Sequence, residues 1–177
     1  MRIIGGRFKG LKLNPPKNLP VRPTTDMAKE ALFNILNNRL EFEGLEVLDL
    51  FSGTGGIALE FASRGAGRIE AVDRQYKCIK FLNDCSKKLG ISSISTVCAD
   101  VFSYLERCQS QFDLIFADPP YDLDKLVDIP QLVSDNNLLK SGGILVLEFP
   151  STRKLADHPE PMEIRKYGNS SFAFYEF

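Results

Sequence analysis

From residue 45 onward, short apolar runs alternate with helix-patterned stretches, and this repetition limits the possible folds more than any other feature. Apolar runs at 45–50, 68–72, 94–98, 112–117 and 144–149 read as five strands. Between them the pattern predicts helices from the glycine-rich turn to about Arg64, over 75–89 closed by Gly90, over 101–107, and over 124–139 stopping at Gly142-Gly143. Two closing runs, 162–167 and 172–177, alternate across a short 168–171 connection and read as a hairpin. Strand-helix alternation makes an α/β sheet that is mostly parallel. Ligands of such sheets sit at the carboxyl ends of the strands. The turns after Leu50, Val72, Cys98 and Ala117 are therefore where chemistry is expected.

The segment before residue 45 reads differently. Residues 1–13 alternate weakly and are broken by Gly5-Gly6 and Gly10, which predicts a small hairpin. Residues 14–23 hold four prolines and read as a stiff linker. Thr24 or Thr25 then caps a helix with apolar positions at Met27, Ala31, Phe33, Ile35, Leu36 and Leu40, and Gly44 ends it. The expected division is a basic arm over 1–23 and one larger domain over 24–177. Net charge is −1, but residues 1–29 carry seven basic side chains against the single acid Asp26, so the body is acidic. A basic arm on an acidic body points to a polyanion partner or to a solvated arm with none.

Composition excludes several classes. With 44% hydrophobic and 25% charged residues in 177, the chain is neither disordered nor fibrous. No apolar run is long enough to span a bilayer, and the N-terminus has no apolar signal core. Cys78, Cys85, Cys98 and Cys108 form no C-x-x-C, and His158 is the sole histidine, so no metal site is expected. A cytoplasmic protein with reduced thiols, no membrane partner and a monomeric state is expected.

Asp49-Leu50-Phe51-Ser52-Gly53-Thr54-Gly55-Gly56 follows the first strand and opens a helix. Glycines let backbone N–H groups approach a ligand, and a helix N-terminus favours electron-rich groups. Gly53, Gly55 and Ala58 satisfy G-x-G-x-x-A, and Asp73, 18 residues after Gly55, can accept ribose hydroxyls. A nicotinamide dinucleotide and S-adenosylmethionine both fit this far. Asp49 would repel a pyrophosphate but suits a cationic amino-acid tail. Asp100, after the third strand, can accept from an adenine amino group. Each of these acids alone also serves as a turn or capping residue.

Asp118-Pro119-Pro120-Tyr121 closes the fourth strand. Two prolines fix the backbone and remove two donors, which predicts free carbonyls beside a carboxylate and an aromatic face. That is a receptor for a planar amine. A nucleobase amino group is a poor nucleophile because its lone pair is delocalised. If Asp118 and the Pro119 carbonyl each accept one N–H, the lone pair can localise toward a methyl donor, while Tyr121 stacks on the base. Orientation and electrostatics would supply the rate, with no metal and no covalent intermediate. A rigid turn would also use these residues.

The segments MRIIGGRFKGLKL, RPTTDMAKEALFNIL, VLDLFSGTGGIALEFASRGA, DPPY and KYGNSSFAFYEF together resemble the RsmD family. Those are bacterial 16S ribosomal RNA (guanine-N2)-methyltransferases of the class I, S-adenosylmethionine-dependent type. The resemblance runs through nearly the whole chain in order. It implies a Rossmann-like, seven-stranded sheet with one antiparallel strand and an N-terminal β-hairpin extension. It implies methylation of one guanine amine, with 16S ribosomal RNA in a small-subunit assembly particle as substrate and S-adenosylhomocysteine as product. By position, Asp49, Phe51, Ser52, Gly53 and Gly55 would hold the methionine end of the cofactor, Asp73 its ribose, and Asp100 with Val101 its adenine. Asp118, Pro119, Pro120 and Tyr121 would hold the guanine. Arg22, Thr24 and Thr25 match the family's R-P-T segment bordering the site. The family's following D-R-x-R-E is here Asp26-Met27-Ala28-Lys29-Glu30, and its closing Y-G-D is Tyr167-Gly168-Asn169. Both changes bear on RNA docking, not on the reaction.

With the resemblance, Arg2, Arg7, Lys9, Lys12 and Arg22 are candidate phosphate contacts, and Phe8 a candidate base-stacking residue. Phe51, apart from the resemblance, reads as core, as does Phe116. Cys78 and Cys85, seven apart on one helix, read as core. His158 reads as exposed loop, and Glu148, at the end of the fifth strand, as a solvated strand end that could instead help shape the site. The alternatives are an N6-adenine DNA methyltransferase, for which the chain has no recognition domain, and a non-catalytic RNA-binding assembly factor. A nicotinamide oxidoreductase explains Gly53 and Asp73 but not D-P-P-Y.

Overall fold

The computed structural model describes residues 1–16, 19, 25–155 and 158–177. Its centre is a seven-stranded sheet: β1 Glu46–Leu50, β2 Arg68–Asp73, β3 Ile94–Cys98, β4 Phe112–Ala117, β5 Leu139–Pro150, β6 Glu163–Tyr167 and β7 Ser170–Tyr175. The spatial order is β3-β2-β1-β4-β5-β7-β6. The first five strands run parallel, and β7 is antiparallel to both β5 and β6. The strand order reverses between β1 and β4, the position where open α/β sheets form a ligand crevice. The chain therefore has the class I methyltransferase arrangement expected of it.

Helices cover both faces. The strands alternate, so successive side chains enter opposite layers. Val47, Leu114, Phe116, Ile144 and Val146 pack with α1 (Asp26–Asn37), α2 (Gly56–Ser63) and α3 (Tyr76–Leu89). Leu48, Leu50, Ile115, Leu145 and Leu147 pack with α4 (Val101–Leu105) and α5 (Ile129–Asp135). Cys78 and Cys85 are both buried, as their shared helix face implied. Among the described residues no helix is long and apolar enough to cross a membrane.

Several boundaries differ from the expected ones. Helix α1 stops at Asn37, short of Leu40 and Gly44, and its buried stripe is Ala28, Lys29, Leu32, Phe33 and Leu36. Met27 sits about 100° around the helix from Ala28, the near edge of that stripe, and is 73% exposed. Thr25 is the cap, accepting the Ala28 N–H at 3.2 Å; Thr24 lies outside the described residues. The helix expected over 124–139 is split into a 3-10 turn, Asp124–Asp128, and α5. Pro130 in the first turn of α5 has no N–H for a continuous helix, and Asn137 ends it at φ +52°. Gly142-Gly143 lie inside β5 rather than closing a helix. They fall in an irregularity where the register jumps from Phe112↔Leu139 to Leu114↔Ile144. The final hairpin turns on Gly168-Asn169 alone, with φ +61° at the glycine, as a two-residue connection requires.

The N-terminal hairpin is reduced to one antiparallel bridge, Arg2↔Lys12, with Ile3–Leu11, Gly10–Ile3 and Leu13–Met1 backbone hydrogen bonds around it. Its tip is a 3-10 turn, Gly6–Phe8, rather than extended ladder. The tip lies against the end of α2. There Gly6 has φ +70°, and a Cβ would come within 1.9 Å of the Ser63 carbonyl oxygen, so only glycine fits. Ile3 and Leu13 are buried in the same core as α1 and α2.

Candidate active site

The carboxyl ends of the parallel strands open into one cleft of about 560 Å³. Of the residues singled out for chemistry, Asp49, Phe51, Ser52, Gly53, Asp73, Asp100, Val101, Asp118, Pro119, Pro120 and Tyr121 all line it. Its volume is in the range of small-molecule and cofactor sites.

The turn after β1 is built for close backbone approach. Gly53 and Gly55 have φ +51° and +79°. A Cβ on Gly55 would come within 2.3 Å of the Leu82 side chain, so this glycine supports the loop from beneath rather than lining the cleft. Phe51 also has a left-handed φ, +59°, unusual for a bulky side chain. Its ring meets Phe102 edge-on, with centroids 6.4 Å apart, and it lines the cleft rather than the deep core. Phe116 is fully buried and forms part of the cleft floor.

Strand parity sends Asp49 to the side of α2. It is 1% exposed, and it accepts the Ala58 N–H at 3.1 Å. Burial pushes its carboxyl up to about 8; the Ala58 hydrogen bond opposes the rise and nearby Asp73 adds to it. Asp73 accepts the Gly53 N–H at 2.8 Å and the Gln75 N–H at 2.7 Å. It therefore fixes the glycine turn as well as facing the cleft. Asp100 is the N-cap of α4, accepting the Ser103 N–H at 3.1 Å. The structural and ligand roles of these acids are not exclusive, since a carboxylate has about four acceptor positions.

Asp118 extends the line of β4: its N–H reaches the Leu50 carbonyl at 3.4 Å. The carbonyls that follow are less available than expected. Pro120 accepts the Leu123 N–H at 3.0 Å, and Tyr121 accepts from Arg153 at 3.4 Å. The Tyr121 hydroxyl donates to Glu148 at 3.3 Å and also meets the Ser170 hydroxyl, which holds the ring against β5 and β7. Glu148, expected to be a solvated strand end, is 3% exposed and lines the cleft. It lies within β5 and is covered by β7, pairing with Phe172. Its place at the end of the fifth strand was readable, but its burial was not, because that depends on strand register.

Among the described residues of the basic arm, Met1 lines the cleft. Arg2 and Lys12 border an adjacent hollow, with Arg2 ion-paired to Asp26 at 3.3 Å. Arg7 and Lys9 are exposed at the far tip. Phe8 is half-buried, and the Arg7 guanidinium lies 5.1 Å from its ring centre. Arg22 lies outside the described residues. Lys29 was missed: it is 3% exposed, lines the cleft and pairs with Glu60 at 3.5 Å. Burial lowers its affinity for a proton, while Glu60 opposes that shift. Of the two positions where the family pattern has arginine, 29 is therefore turned inward. Only position 27, the exposed Met27, changes the outer surface.

Comparison with known proteins agrees with this geometry. The family model described as Conserved hypothetical protein 95 matches residues 1–176. Ribosomal RNA small subunit methyltransferase D of Escherichia coli K12 is 33% identical over 151 residues, which cover 84% of this chain and 74% of that protein. The enzyme of the same name from Buchnera aphidicola subsp. Baizongia pistaciae is 30% identical, covering 94% of this chain and 85% of its own. The solved structure of a hypothetical protein from Thermus thermophilus matches with TM-score 0.87 at 28% identity, over 100% of this chain and 99% of that one. The chain is thus a member of the conserved hypothetical protein 95 family, the RsmD family of class I S-adenosylmethionine-dependent methyltransferases.

Proposed function

We propose that this protein methylates the exocyclic N2 amine of one guanine in 16S ribosomal RNA, carried in a small-subunit assembly particle. The observation that carries the reading is that Asp118-Pro119-Pro120-Tyr121 and the Asp49–Gly55 turn open into one cleft. The relatives' names, ribosomal RNA small subunit methyltransferase D, support RNA as the substrate.

The residues present fit the cofactor. Asp49 is a buried acid suited to an ammonium tail, the Gly53 turn offers backbone, and Asp73 and Asp100 stand at the next two strand ends. When bound, S-adenosylmethionine supplies a methyl group activated by its sulfonium. The chain's own part is to orient. Asp118 and the Pro119 carbonyl take the two N–H bonds of the amine, so its lone pair is drawn out of the purine ring. The Tyr121 ring, held through its hydroxyl, supports the base. Arg2, Arg7, Lys9, Lys12 and Arg22 in the 1–23 arm contact phosphates around the target, while Phe8 stacks on a neighbouring base; the 24–177 domain performs the transfer in the cytoplasm as a monomer.

Transfer of labelled methyl to small subunits from cells lacking the enzyme, to the matching naked RNA and to duplex DNA tests this. N2-methylguanosine in the subunits is expected. N6-methyladenine in DNA, or cofactor binding with no label in any substrate, would overturn it.

Two results follow for cofactor binding. Asp73→Ala is expected to weaken S-adenosylmethionine binding by roughly 1–3 kcal/mol, because it removes a ribose acceptor and also frees the Gly53 N–H. Unchanged affinity in a calorimetric titration would mean that the ribose is held elsewhere. The second concerns protons. Asp49 keeps its proton in the free protein below about 8. An ammonium group beside it favours the carboxylate, so binding near pH ~6.5 is expected to release close to one proton. Calorimetry in buffers of different ionisation heat measures this. The release should fade above the Asp49 titration and be absent in Asp49→Asn. For folding the sign is opposite to that of a paired acid. Between 3.8 and about 8 the folded chain holds a proton that the unfolded chain has lost, so Asp49 withdraws stability as pH rises through that window.

A further inference from the structure

A second carboxylate stands beside Asp118. The β4–β5 register pairs Ala117 with Leu147, so the next positions, Asp118 and Glu148, are side by side. Neighbouring strands lie about 4.8 Å apart. Leu114 and Phe116 on β4 and Ile144 and Val146 on β5 face one layer, and by the same parity Asp118 and Glu148 face that side, where both line the cleft. Glu148 is 3% exposed, and its Oε1 accepts the Tyr121 hydroxyl at 3.3 Å. A buried carboxylate in the middle of a strand is costly, and nothing in the orientation of the N2 amine uses it.

We infer that Glu148 reads the N1–H of the target base and so selects guanine over adenine; this deepens, and rests on, the guanine-N2 reading above. An ionised carboxylate only accepts hydrogen bonds. Guanine presents N1–H directly beside its N2 amine, so these two adjacent positions are both donors. With the amine on Asp118 and Pro119, the neighbouring N1–H falls to the neighbouring carboxylate. Adenine presents an unprotonated N1 beside its amine, and that lone pair would face Glu148 with no proton between them. D-P-P-Y by itself cannot tell the two purines apart; the strand next to it supplies the distinction. The Tyr121 hydroxyl fixes Glu148 at the edge of the ring on which the base rests.

The test uses small-subunit particles rebuilt with 2-aminopurine at the one position where wild-type enzyme labels guanine. 2-Aminopurine keeps the 2-amine but has no proton on N1. Wild-type enzyme is expected to methylate guanine about a hundredfold or more faster than 2-aminopurine. E148Q, whose amide can donate to a bare N1, is expected to lose guanine activity and to narrow that ratio by about tenfold or more. Equal rates on the two bases with wild-type enzyme would overturn the assignment whatever the variant does. So would an unchanged ratio in E148Q that still binds S-adenosylmethionine normally. Failure of the guanine reading looks different: wild-type enzyme would then leave no N2-methylguanosine in unmodified particles.

Discussion

Asp118→Ala is expected to reduce methyl transfer by about a thousandfold or more, while affinity for S-adenosylmethionine stays within about a few-fold. The two readouts separate because the proposed partner of Asp118 is the base, whereas Asp49, Asp73 and Asp100 are proposed to hold the cofactor. The Asp118 backbone N–H keeps its bond to Leu50, and the two prolines that shape the turn remain. What is lost is the charge that accepts one N–H of the target amine, and with it the pull that takes the lone pair out of the ring. Asp118→Asn retains an acceptor oxygen without the charge and should fall between the two. Single-turnover transfer at saturating cofactor, with calorimetry in parallel, checks both halves. Near-normal turnover in Asp118→Ala would remove the proposed role, and an equal loss of cofactor affinity would reassign Asp118 to cofactor binding.

The two turns that carry this chemistry could be read from the chain because each is a contiguous segment. Asp49 to Gly56 and Asp118 to Tyr121 announce themselves by glycine, proline and acid in fixed order, and the strand-helix alternation says which end of the sheet they occupy. What escaped reading depended on register or on contact across distance. Glu148 looks like any acid near a strand end until Ala117↔Leu147 pairing sets it beside Asp118. Gly142-Gly143 looks like a helix stop because the irregularity that absorbs them is made by β4, not by their own neighbours. Phe33 and Leu36 are buried as their spacing implied, but the start of the stripe falls on Ala28 rather than on its neighbour Met27, whose apolar character misled. Lys29 and Glu60 are 31 residues apart, and nothing local to either marks it as half of a buried pair.

That pair carries the second large effect, on stability rather than catalysis. Glu60 is fully buried on α2, just beyond the glycine turn. It accepts the Ile4 N–H at 2.9 Å and the Arg64 Nε–H at 2.9 Å, and it faces the Lys29 ammonium at 3.5 Å. Lys29 in turn donates to the Arg2 carbonyl. One carboxylate thus ties the N-terminal segment and α1 to the helix that follows the cofactor turn. Removing one partner of a buried pair leaves the other charged and poorly solvated, so Glu60→Ala is expected to cost about 3–5 kcal/mol. For a domain of this size that lowers Tm by roughly 6–20 °C. Exposed pairs supply the control. Lys80 and Asp84 lie 2.6 Å apart with both side chains more than half exposed, and Lys80→Ala should leave stability nearly unchanged. Chemical denaturation of both variants decides between a buried anchor and an ordinary ion pair, since similar losses in the two would remove the anchor. Lys29→Met combined with Glu60→Leu should recover part of the loss, because the stranded charge is gone. Full recovery is not expected, as Ile4 and Arg64 still lose their acceptor. Faster proteolysis at Arg7 and Lys9 in Glu60→Ala, before the body unfolds, would show the arm released first. Loss of the arm would also strip the cleft of the Met1 wall, which makes retention of the proposed RNA-contacting segment and completeness of the active site one structural property.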